Sequence, residues 1–300
     1  MSDKIYPIIK WAGGKRRLAS KIADYFKDAN LIKKGHTYFE PFLGGGALLF
    51  FLQPDKAVGI DQNPELINFY EVVNNKPEEL YRCLQDEFYH QHSEEFYYQV
   101  RDWDRSPNFG KRSDVERAAR FIYLNKSCFN GIWRVNSKGE NNVPWNHQNR
   151  VSLPTLDKIM AVHNYLKKHL DFYLDDYKRV LEFASKGDFV YFDPPYDVEP
   201  QQSSFTAYTK NGFGRDKQKE LKELCDKLLD KGVSVAVSNS NTEFIRNLYN
   251  PEDESRKYVY KILNDDTLRL SRNIAGKSSC RRQVNEALII GKPKEKRKKK

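Results

Sequence analysis

The segment Phe189–Tyr196, FVYFDPPY, has the residue types best suited to chemistry in this chain. Its apolar first half is typical of a buried strand, and Asp193 follows at the carboxyl end, where open α/β sheets bind ligands. Pro194 and Pro195 lack N–H donors and restrict the backbone, so the Asp193 carboxylate and the Pro194 carbonyl can form a rigid acceptor pair. With the ring of Tyr196 beside them, these groups suit an exocyclic aromatic amine, although the same residues could form only a tight turn.

A second predicted strand, in Tyr38–Gly46 (YFEPFLGGG), ends in an acid that precedes three glycines. A dinucleotide fingerprint is not met because Leu49 occupies its last glycine position, so the turn is not expected to bind a pyrophosphate. The glycines still allow a ligand to approach the main chain closely. Asp61 ends the next predicted strand, 21 residues after Glu40, where a carboxylate commonly binds a ribose diol. The pattern therefore favours a nucleoside ligand without a pyrophosphate.

A third motif, KWAGGK at Lys10–Lys15, resembles a phosphate-binding loop only superficially. Ile9 stands where the first glycine of that loop would be, and Arg16 replaces its Ser or Thr. Trp11 could cover an aromatic ring and Lys15 could neutralise a carboxylate. A tryptophan in the core with solvated lysines explains the same residues equally well.

The elements that position these motifs alternate as in a parallel sheet. Ala57–Asp61 is a predicted strand, and Asn63-Pro64 is a typical helix start because Asn caps free amides and Pro suits the first turn. Helical patterns dominate from about Val73, including a helix over Glu78–Tyr89, and α/β alternation returns after Pro154. The sequence predicts a doubly wound α/β core in two parts, 1–72 and 155–291, an inserted mainly helical domain, 73–154, and a disordered basic tail, 292–300.

The composition predicts a nucleic-acid partner. The 300 residues carry a net charge of +10, 39% are hydrophobic, and the mean hydropathy is −0.78. The last nine residues, KPKEKRKKK, contain seven bases and one acid. Such a balance attracts nucleic acid first and an anionic membrane second. No run of eighteen apolar residues is present, and MSDKIYPIIKW lacks an apolar signal segment, so we expect a cytoplasmic, nucleoid-associated protein without membrane contact.

Seven motifs, taken together, resemble the Dam-type DNA adenine-N6 methyltransferases, whose motifs occur in the same order along nearly the whole chain. They are KWAGGK, FEPFLGGG, DQNPELI, LNKSCFNGIWR, NVPW, DPPY and FTAY. DPPY alone is shared more broadly with amino-methyltransferases, but its combination with WAGGK and NG-x-x-R is specific. The resemblance implies a Rossmann-like methyltransferase core, S-adenosyl-L-methionine as methyl donor and double-stranded DNA as substrate.

The same resemblance implies the cofactor site. Its residues would be Trp11, Lys15, Glu40, Phe42, Gly44, Gly46, Asp61, Asp176, Tyr177 and Asp193. Lys15 would pair with the cofactor carboxylate, and the match at Asp176–Tyr177 is weaker in residue type. In the implied chemistry Asp193 and the Pro194 carbonyl accept the N–H bonds of the adenine amine. The adenine must first flip out of the duplex, after which it stacks on Tyr196.

Target recognition is expected in residues 111–150, which carry eight bases and three acids among aromatic residues. By resemblance, Arg134 reads a guanine, Phe129 is a wedge inserted into the duplex, and Asn130 adjoins it. Ile132 and Pro144 align with further base-contacting positions, and Lys10 with a residue at the first guanine. Phe129 or Trp133 could instead pack this region, and Arg134 could bind a phosphate. The implied target is GATC, or a longer GAT-containing site as in relatives with an SCFNG-type loop.

Other chemistries fit less well. Cytosine-C5 methylation needs a cysteine nucleophile, usually after Pro, whereas the four cysteines follow Arg, Ser or Leu. The six histidines form no ligand-spaced cluster, so no catalytic metal is expected. Methylation of RNA or of another amine stays open, as does a DNA-binding repressor without catalysis. We expect a monomer, with a cognate restriction nuclease as a possible partner.

Overall fold

The computed structural model describes residues 4–198, 213–250, 258–263, 269–273 and 281–294, and for 269–273 and 281–285 the backbone only. FTAY at 205–208, Cys280 and most of the basic tail, 295–300, lie outside the described residues. The chain divides into two compact units. The first comprises Met1–Ser20, Leu43–Pro54 and Asp61–Asp175, and the second comprises Lys21–Phe42, Asp55–Ile60 and Asp176–Lys300.

The described residues form ten α-helices and eight strands. The helices are α1 Ala19–Asp28, α2 Ala47–Leu52, α3 Pro64–Asn75, α4 Pro77–Cys83, α5 Glu94–Arg101, α6 Asp114–Ser127, α7 Leu156–His169, α8 Val180–Phe183, α9 Arg215–Asp230 and α10 Glu243–Leu248. The strands are β1 Tyr38–Glu40, β2 Ala57–Asp61, β3 Leu170–Leu174, β4 Phe189–Phe192, β5 Ser234–Ser240, β6 Tyr258–Leu263, β7 Arg269–Asn273 and β8 Arg281–Pro293. In these residues no helix is both long and apolar enough to cross a bilayer.

The helix start predicted at Asn63-Pro64 is confirmed. Oδ1 of Asn63 accepts hydrogen bonds from Glu65 N (3.0 Å) and Leu66 N (3.2 Å), so it satisfies two amides that the first turn leaves unpaired. The helical segment predicted over Glu78–Tyr89 is confirmed, and it continues from α4 as a wider π turn over Leu84–Tyr89. The first unit thus combines α3–α7 with the loops that carry Lys10–Lys15 and the three glycines.

Helices also dominate residues 73–154. Their apolar faces bury Phe88, Tyr97, Phe121 and Tyr123, and only the isolated bridges Cys128–Trp145 and Val135–Asn141 add β pairing in this stretch. The segment lies within the first unit, together with Lys10–Lys15 and α7. A separate recognition domain with the boundaries 73 and 154 stays a prediction.

The second unit contains a sheet in the order β2-β1-β4-β5-β8-β6. The pairs β1–β2, β1–β4 and β4–β5 are parallel, whereas β8 runs antiparallel to β5, β6 and β7. The strand order reverses between β1 and β4, and ligands of such sheets bind beyond the carboxyl ends of the strands at this reversal. The predicted α/β class with a doubly wound strand order is therefore confirmed. Val190, Phe192, Val235, Val237 and Ile289 lie in its buried core.

Candidate functional site

In the first unit, Asp61 fixes the glycine turn. Its Oδ2 accepts a 2.9 Å hydrogen bond from Gly44 N, and its Oδ1 accepts one of the same length from Asn63 N. Burial raises the pKa of Asp61, and the backbone donors at Gly44, Asn63 and Gln62 partly oppose that rise. The carboxylate predicted at the end of β2 therefore holds the turn in place while retaining lone pairs for a ligand.

Gly44 and Gly46 both adopt left-handed backbone conformations, with φ of +48° and +63°. A Cβ on Gly44 would lie 2.5 Å from Trp11 Cδ1, so a larger residue could not occupy this position. The hydroxyl of Tyr70 donates to Gly44 O (2.9 Å), and a Cβ on Gly46 would meet that hydroxyl at 3.1 Å. Glycine is thus required by the backbone angles and by close packing at both positions.

Trp11 and Lys15 flank this turn within the first unit. Trp11 is half-buried and packs on Gly44 and Gly45, with its ring 6.2 Å from that of Phe121. Lys15 is 2% exposed, and its Nζ donates to Gly13 O at 2.7 Å. The alternative of a solvated Lys15 is therefore wrong, and a buried ammonium at this position is suited to an anionic group.

The segment Phe129–Pro144 presents its predicted contact residues on a turn and an adjoining loop. Phe129 N donates to Pro144 O (2.9 Å), and the Phe129 side chain is 38% exposed, so it is not buried in the core. Trp133, by contrast, packs on Phe121 with 4.4 Å between the ring centroids. Asn130 and Gly131 are consecutive left-handed residues, with φ of +57° and +65°, and Ile132 follows them in extended conformation.

The guanidinium of Arg134 is held at one edge by Asn142. Its Nε donates to Asn142 Oδ1 (2.6 Å) and its Nη2 to Asn142 O (3.1 Å). Within the described part of the chain Nη1 has no hydrogen-bond partner, so the edge formed by the two terminal nitrogens can meet a planar acceptor pair. Asn142 was not predicted from the sequence, because its contact with Arg134 accompanies the pairing of Val135 with Asn141.

A cluster of cations surrounds Lys126. Burial, together with the positive charges of Lys10, Lys158 and Arg16, lowers the pKa of Lys126 to about 8. These three positive charges disfavour the protonated form of Lys126, and a nearby anion would favour it. In the sequence, only an excess of basic residues hints at this cluster.

In the second unit, Asp193 follows β4 directly, and the DPPY segment is neither helical nor part of a strand. Pro194 is buried and Pro195 is exposed. The Pro195 carbonyl accepts a hydrogen bond from Gln218 Nε2 (2.9 Å), whereas the Pro194 carbonyl accepts none from the described residues. The acceptor pair inferred from the sequence is therefore compatible with the geometry of the loop.

Buried amides hold the loop after β4. Oδ1 of Asn239, at the end of β5, accepts from Asp197 N (3.0 Å), and its Nδ2 donates to Gln218 Oε1 (3.0 Å). Thr242 Oγ1 donates to Asp197 Oδ2 (2.8 Å), and Arg215 forms an ion pair with the same carboxylate. None of these residues was identified from the sequence, because their partners are separated by 18 to 45 residues along the chain.

The remaining predicted cofactor residues of the second unit lie near the ends of β1 and β3. Glu40 is buried and accepts from the Tyr38 hydroxyl (3.2 Å). Phe42 stacks on Tyr177 at 5.0 Å between centroids, and Asp176 Oδ1 accepts from Lys178 N (2.9 Å). Phe42 and Tyr177 thus form an aromatic pair, a surface on which a flat ring can pack.

The described cysteines are poorly suited to nucleophilic catalysis. Burial raises the pKa of Cys83 to about 12 and that of Cys128 to about 11, and it also raises the pKa of Cys225. A thiol nucleophile requires a lowered pKa instead. In the described ranges no group of three His, Cys, Asp or Glu residues has a geometry for binding a metal.

Comparison with known proteins identifies the family of the chain. The model of the D12 class N6 adenine-specific DNA methyltransferases matches residues 11–269. The Type II methyltransferase M1.LlaDCHI of Lactococcus lactis subsp. cremoris is 37% identical over 284 residues, 94% of each chain. M.MjaIII of Methanocaldococcus jannaschii is 37% identical over 276 residues, 87% of this chain and 93% of its own. The DNA adenine methylase of Escherichia coli K12 is 29% identical over 289 residues, 95% of each chain. The resemblance inferred from the motifs is confirmed: the chain belongs to the D12 class N6 adenine-specific DNA methyltransferases.

Proposed function

We propose that this chain transfers a methyl group from S-adenosyl-L-methionine to N6 of an adenine flipped out of duplex DNA, within the sequence GATC. The observation that carries the proposal is the loop after β4. This loop contains the Asp193 carboxylate, the Pro194 carbonyl and the Tyr196 ring. Gln218 and Asn239 hold it by hydrogen bonds to its backbone. A loop fixed in this way presents acceptors in one geometry before the substrate binds.

The residues of the first unit fit the nucleoside part of the methyl donor. Each Asp61 oxygen accepts one backbone N–H, and an ionised carboxylate offers about four acceptor positions, so two ribose hydroxyls can also be bound. The glycine turn has no side chain that would obstruct the ligand. By the family resemblance, Trp11, Glu40, Phe42, Asp176 and Tyr177 would contact the rest of the methyl donor, and Lys15 would pair with the carboxylate of its amino-acid part. When bound, the donor supplies an electrophilic methyl group on a sulfonium centre.

Asp193 and Pro194 act on the adenine amine. Its lone pair is delocalised into the ring, which makes N6 a poor nucleophile. When the carboxylate and the carbonyl accept the two N–H bonds, they favour a pyramidal nitrogen whose lone pair points toward the electrophile. As the N6–C bond forms, the methyl–sulfur bond of the donor would break and the sulfur would leave as a neutral thioether. The positive charge moves from sulfur to N6, next to the Asp193 carboxylate, and one N6 proton is then released to solvent.

Flipping the adenine costs a few kcal/mol of stacking and pairing. Stacking on Tyr196 returns about 1–3 kcal/mol, and contacts to DNA must supply the rest. Phe129 is exposed on the turn at 129–131, and in this proposal its ring would fill the space that the base leaves. Asn130, Ile132, Pro144 and Lys10 would contact neighbouring bases, and Arg134 would read a guanine.

The test is transfer of tritium from methyl-labelled S-adenosyl-L-methionine to duplexes containing GATC, GATATC or a scrambled sequence, to single strands and to RNA. We expect label in N6-methyladenine of the GATC duplex, and none with Asp193→Asn. Label in the GATATC duplex alone would show that the target is GATATC rather than GATC, while supporting the proposed reaction. Label in RNA alone would show that the substrate is RNA and not duplex DNA. Specific duplex binding without label in any polymer would identify a repressor. Light scattering of the complex with GATC DNA should give one protein chain per duplex.

A further inference from the structure

The Asn125 side chain is completely buried near the end of α6 and makes three hydrogen bonds to backbone groups. Its Oδ1 accepts from Lys10 N (2.8 Å), and its Nδ2 donates to Lys10 O (2.8 Å) and to Gly131 O (3.1 Å). Asn is a poor residue for a helix interior. Here the amide binds both backbone groups of Lys10, 115 residues away, as well as the turn that follows α6.

The turn itself is packed against Lys10. A Cβ on Gly131 would lie 2.6 Å from Lys10 Cδ and 2.8 Å from Lys10 Cβ. The aliphatic part of Lys10 therefore lies across Gly131, in the space that any other residue would fill. Asn125 and Gly131 together fix both the backbone and the side-chain direction of Lys10.

We propose that Asn125 is a positioning residue that holds Lys10 and the turn Phe129–Ile132 in one rigid arrangement. This inference rests on the proposed function, in which Lys10 contacts the first guanine and Phe129 enters the duplex. The physical reason is preorganisation: two base-contacting segments that are already fixed to each other lose less conformational freedom on binding. Arg134 lies outside this arrangement, because its own guanidinium is held by Asn142.

The test compares Asn125→Ala with Lys10→Ala and with the double variant. For each variant, kcat/KM for the GATC duplex is divided by kcat/KM for a duplex in which one base is replaced. Replacing the first guanine measures the first-base preference, and replacing the guanine assigned to Arg134 measures the Arg134-dependent preference. We expect Asn125→Ala to lower the first-base preference at least tenfold and to leave the Arg134-dependent preference unchanged. The double variant should lose no more first-base preference than Lys10→Ala alone. With 2-aminopurine at the target position, fluorescence should show slower base flipping by Asn125→Ala than by the wild type.

Two further variants separate positioning from stability. Tyr97→Phe removes one buried hydrogen bond, to Val143 O at 2.9 Å, in the same unit and serves as the matched control. Gly131→Ala displaces Lys10 but keeps the Asn125 side chain. If Asn125→Ala fails to fold, Gly131→Ala is used in its place and should show the same selective loss of first-base preference.

If Asn125→Ala lowers the preference for every base equally, as expected for Tyr97→Phe, the inference is wrong. It is also wrong if the losses of first-base preference in Asn125→Ala and Lys10→Ala add fully in the double variant. A normal first-base preference in Lys10→Ala would instead overturn the role of Lys10 in the proposed function, and this inference with it.

Discussion

The Tyr196 hydroxyl donates a 3.0 Å hydrogen bond to Oε2 of Glu286, a carboxylate buried on β8. Glu286 pairs in register with Ser240, so the far end of the Tyr196 ring is attached to the antiparallel part of the sheet. A ring held at its hydroxyl keeps one orientation, which is what stacking against a flipped base requires.

The Tyr196 ring and its hydroxyl should contribute separately. Tyr196→Phe loses one hydrogen bond to a carboxylate, worth about 1.5–3 kcal/mol, so we expect a loss of about 13- to 150-fold in the single-turnover rate. Tyr196→Ala also loses stacking of about 1–3 kcal/mol, a further 5- to 150-fold. Tyr191→Phe is the matched control, because it also removes one buried tyrosine hydroxyl, which forms a hydrogen bond with Ser238 (2.7 Å). Equal rates for the Phe and Ala variants of Tyr196 would rule out stacking.

Asp61→Asn should weaken cofactor binding. The amide replaces a charged acceptor, and one such hydrogen bond is worth about 1.5–3 kcal/mol, so Kd should rise about 10- to 150-fold. Because the pKa of Asp61 is raised, wild-type affinity should fall as acid protonates the carboxylate, and it should begin to fall at a higher pH than for an ordinary Asp. Calorimetric titration measures both effects. Asp171→Asn, an exposed change of the same charge, should leave Kd unchanged.

Arg134 should read N7 and O6 of a guanine. Replacing that guanine by 7-deazaguanine should lower kcat/KM of the wild type by about 1–3 kcal/mol, or 5- to 150-fold. Arg134→Ala should be insensitive to the same replacement. Lys138→Ala, in the same segment, should retain the wild-type sensitivity. If Arg134→Ala weakens all duplexes equally and keeps the 7-deazaguanine effect, the side chain binds a phosphate.

Lys126 should make DNA binding depend on pH. A nearby phosphate favours its protonated form, so DNA binding takes up a proton above pH 8, and wild-type affinity should fall as the pH rises from 7 to 9. With a pKa of about 8, the fall should be about tenfold at most. Fluorescence anisotropy at fixed ionic strength measures it. Lys126→Arg should remove the dependence, and the exposed Lys33→Arg should not. An unchanged slope in Lys126→Arg would contradict the assignment.

The same residue should affect stability in the opposite sense. The folded-state pKa of Lys126 lies below its ordinary value of 10.5, so the unfolded chain binds the proton more tightly. The protonated side chain therefore destabilises the fold fully below about pH 8, and this cost is relieved as the pH rises from 8 to 10.5. Lys126→Met should raise Tm at pH 7 while weakening DNA binding. A lower Tm would show that Lys126 stabilises the fold.

Gln218 should act on the rate rather than on binding. It bonds Pro195 O and Asn239, and a small displacement of catalytic groups can cost about 10²-fold. We expect Gln218→Ala to lower kcat tenfold to a hundredfold with little change in KM or cofactor Kd. Gln218→Glu keeps the acceptor for Asn239 but loses the donor to Pro195, so it should show most of the loss. Lys227→Ala, exposed on the same helix, is the control.

Local sequence patterns predicted the strand ends that carry Glu40, Asp61 and Asp193, and the helix cap at Asn63. Each depends on a few neighbouring residues: an apolar run followed by an acid, or Asn followed by Pro. The strands β3, β6 and β7 were not predicted, because their sequences mix polar and apolar residues and their pairing partners are distant. The π turn after α4 was missed for a related reason, since its sequence is an ordinary helical one.

The supporting amides could not be inferred from local patterns. Asn125, Asn142, Gln218 and Asn239 occur in unremarkable local contexts, and only tertiary folding brings each to its partner. Charge counting also failed at Lys126, where the effect comes from burial among other cations rather than from the number of bases.

The consecutive left-handed residues Asn130 and Gly131 separate the shape of the turn from its chemistry. Gly131 and Asn125 hold the backbone of the turn, while Phe129 at its start is exposed and Ile132 at its end is half-buried. In the proposed function, substitutions at Phe129 and Ile132 would change the preferred DNA sequence and leave the residues that hold the turn unchanged. A laboratory library for new target sequences should randomise Phe129 and Ile132 and keep Gly131 fixed, since any Cβ there displaces Lys10.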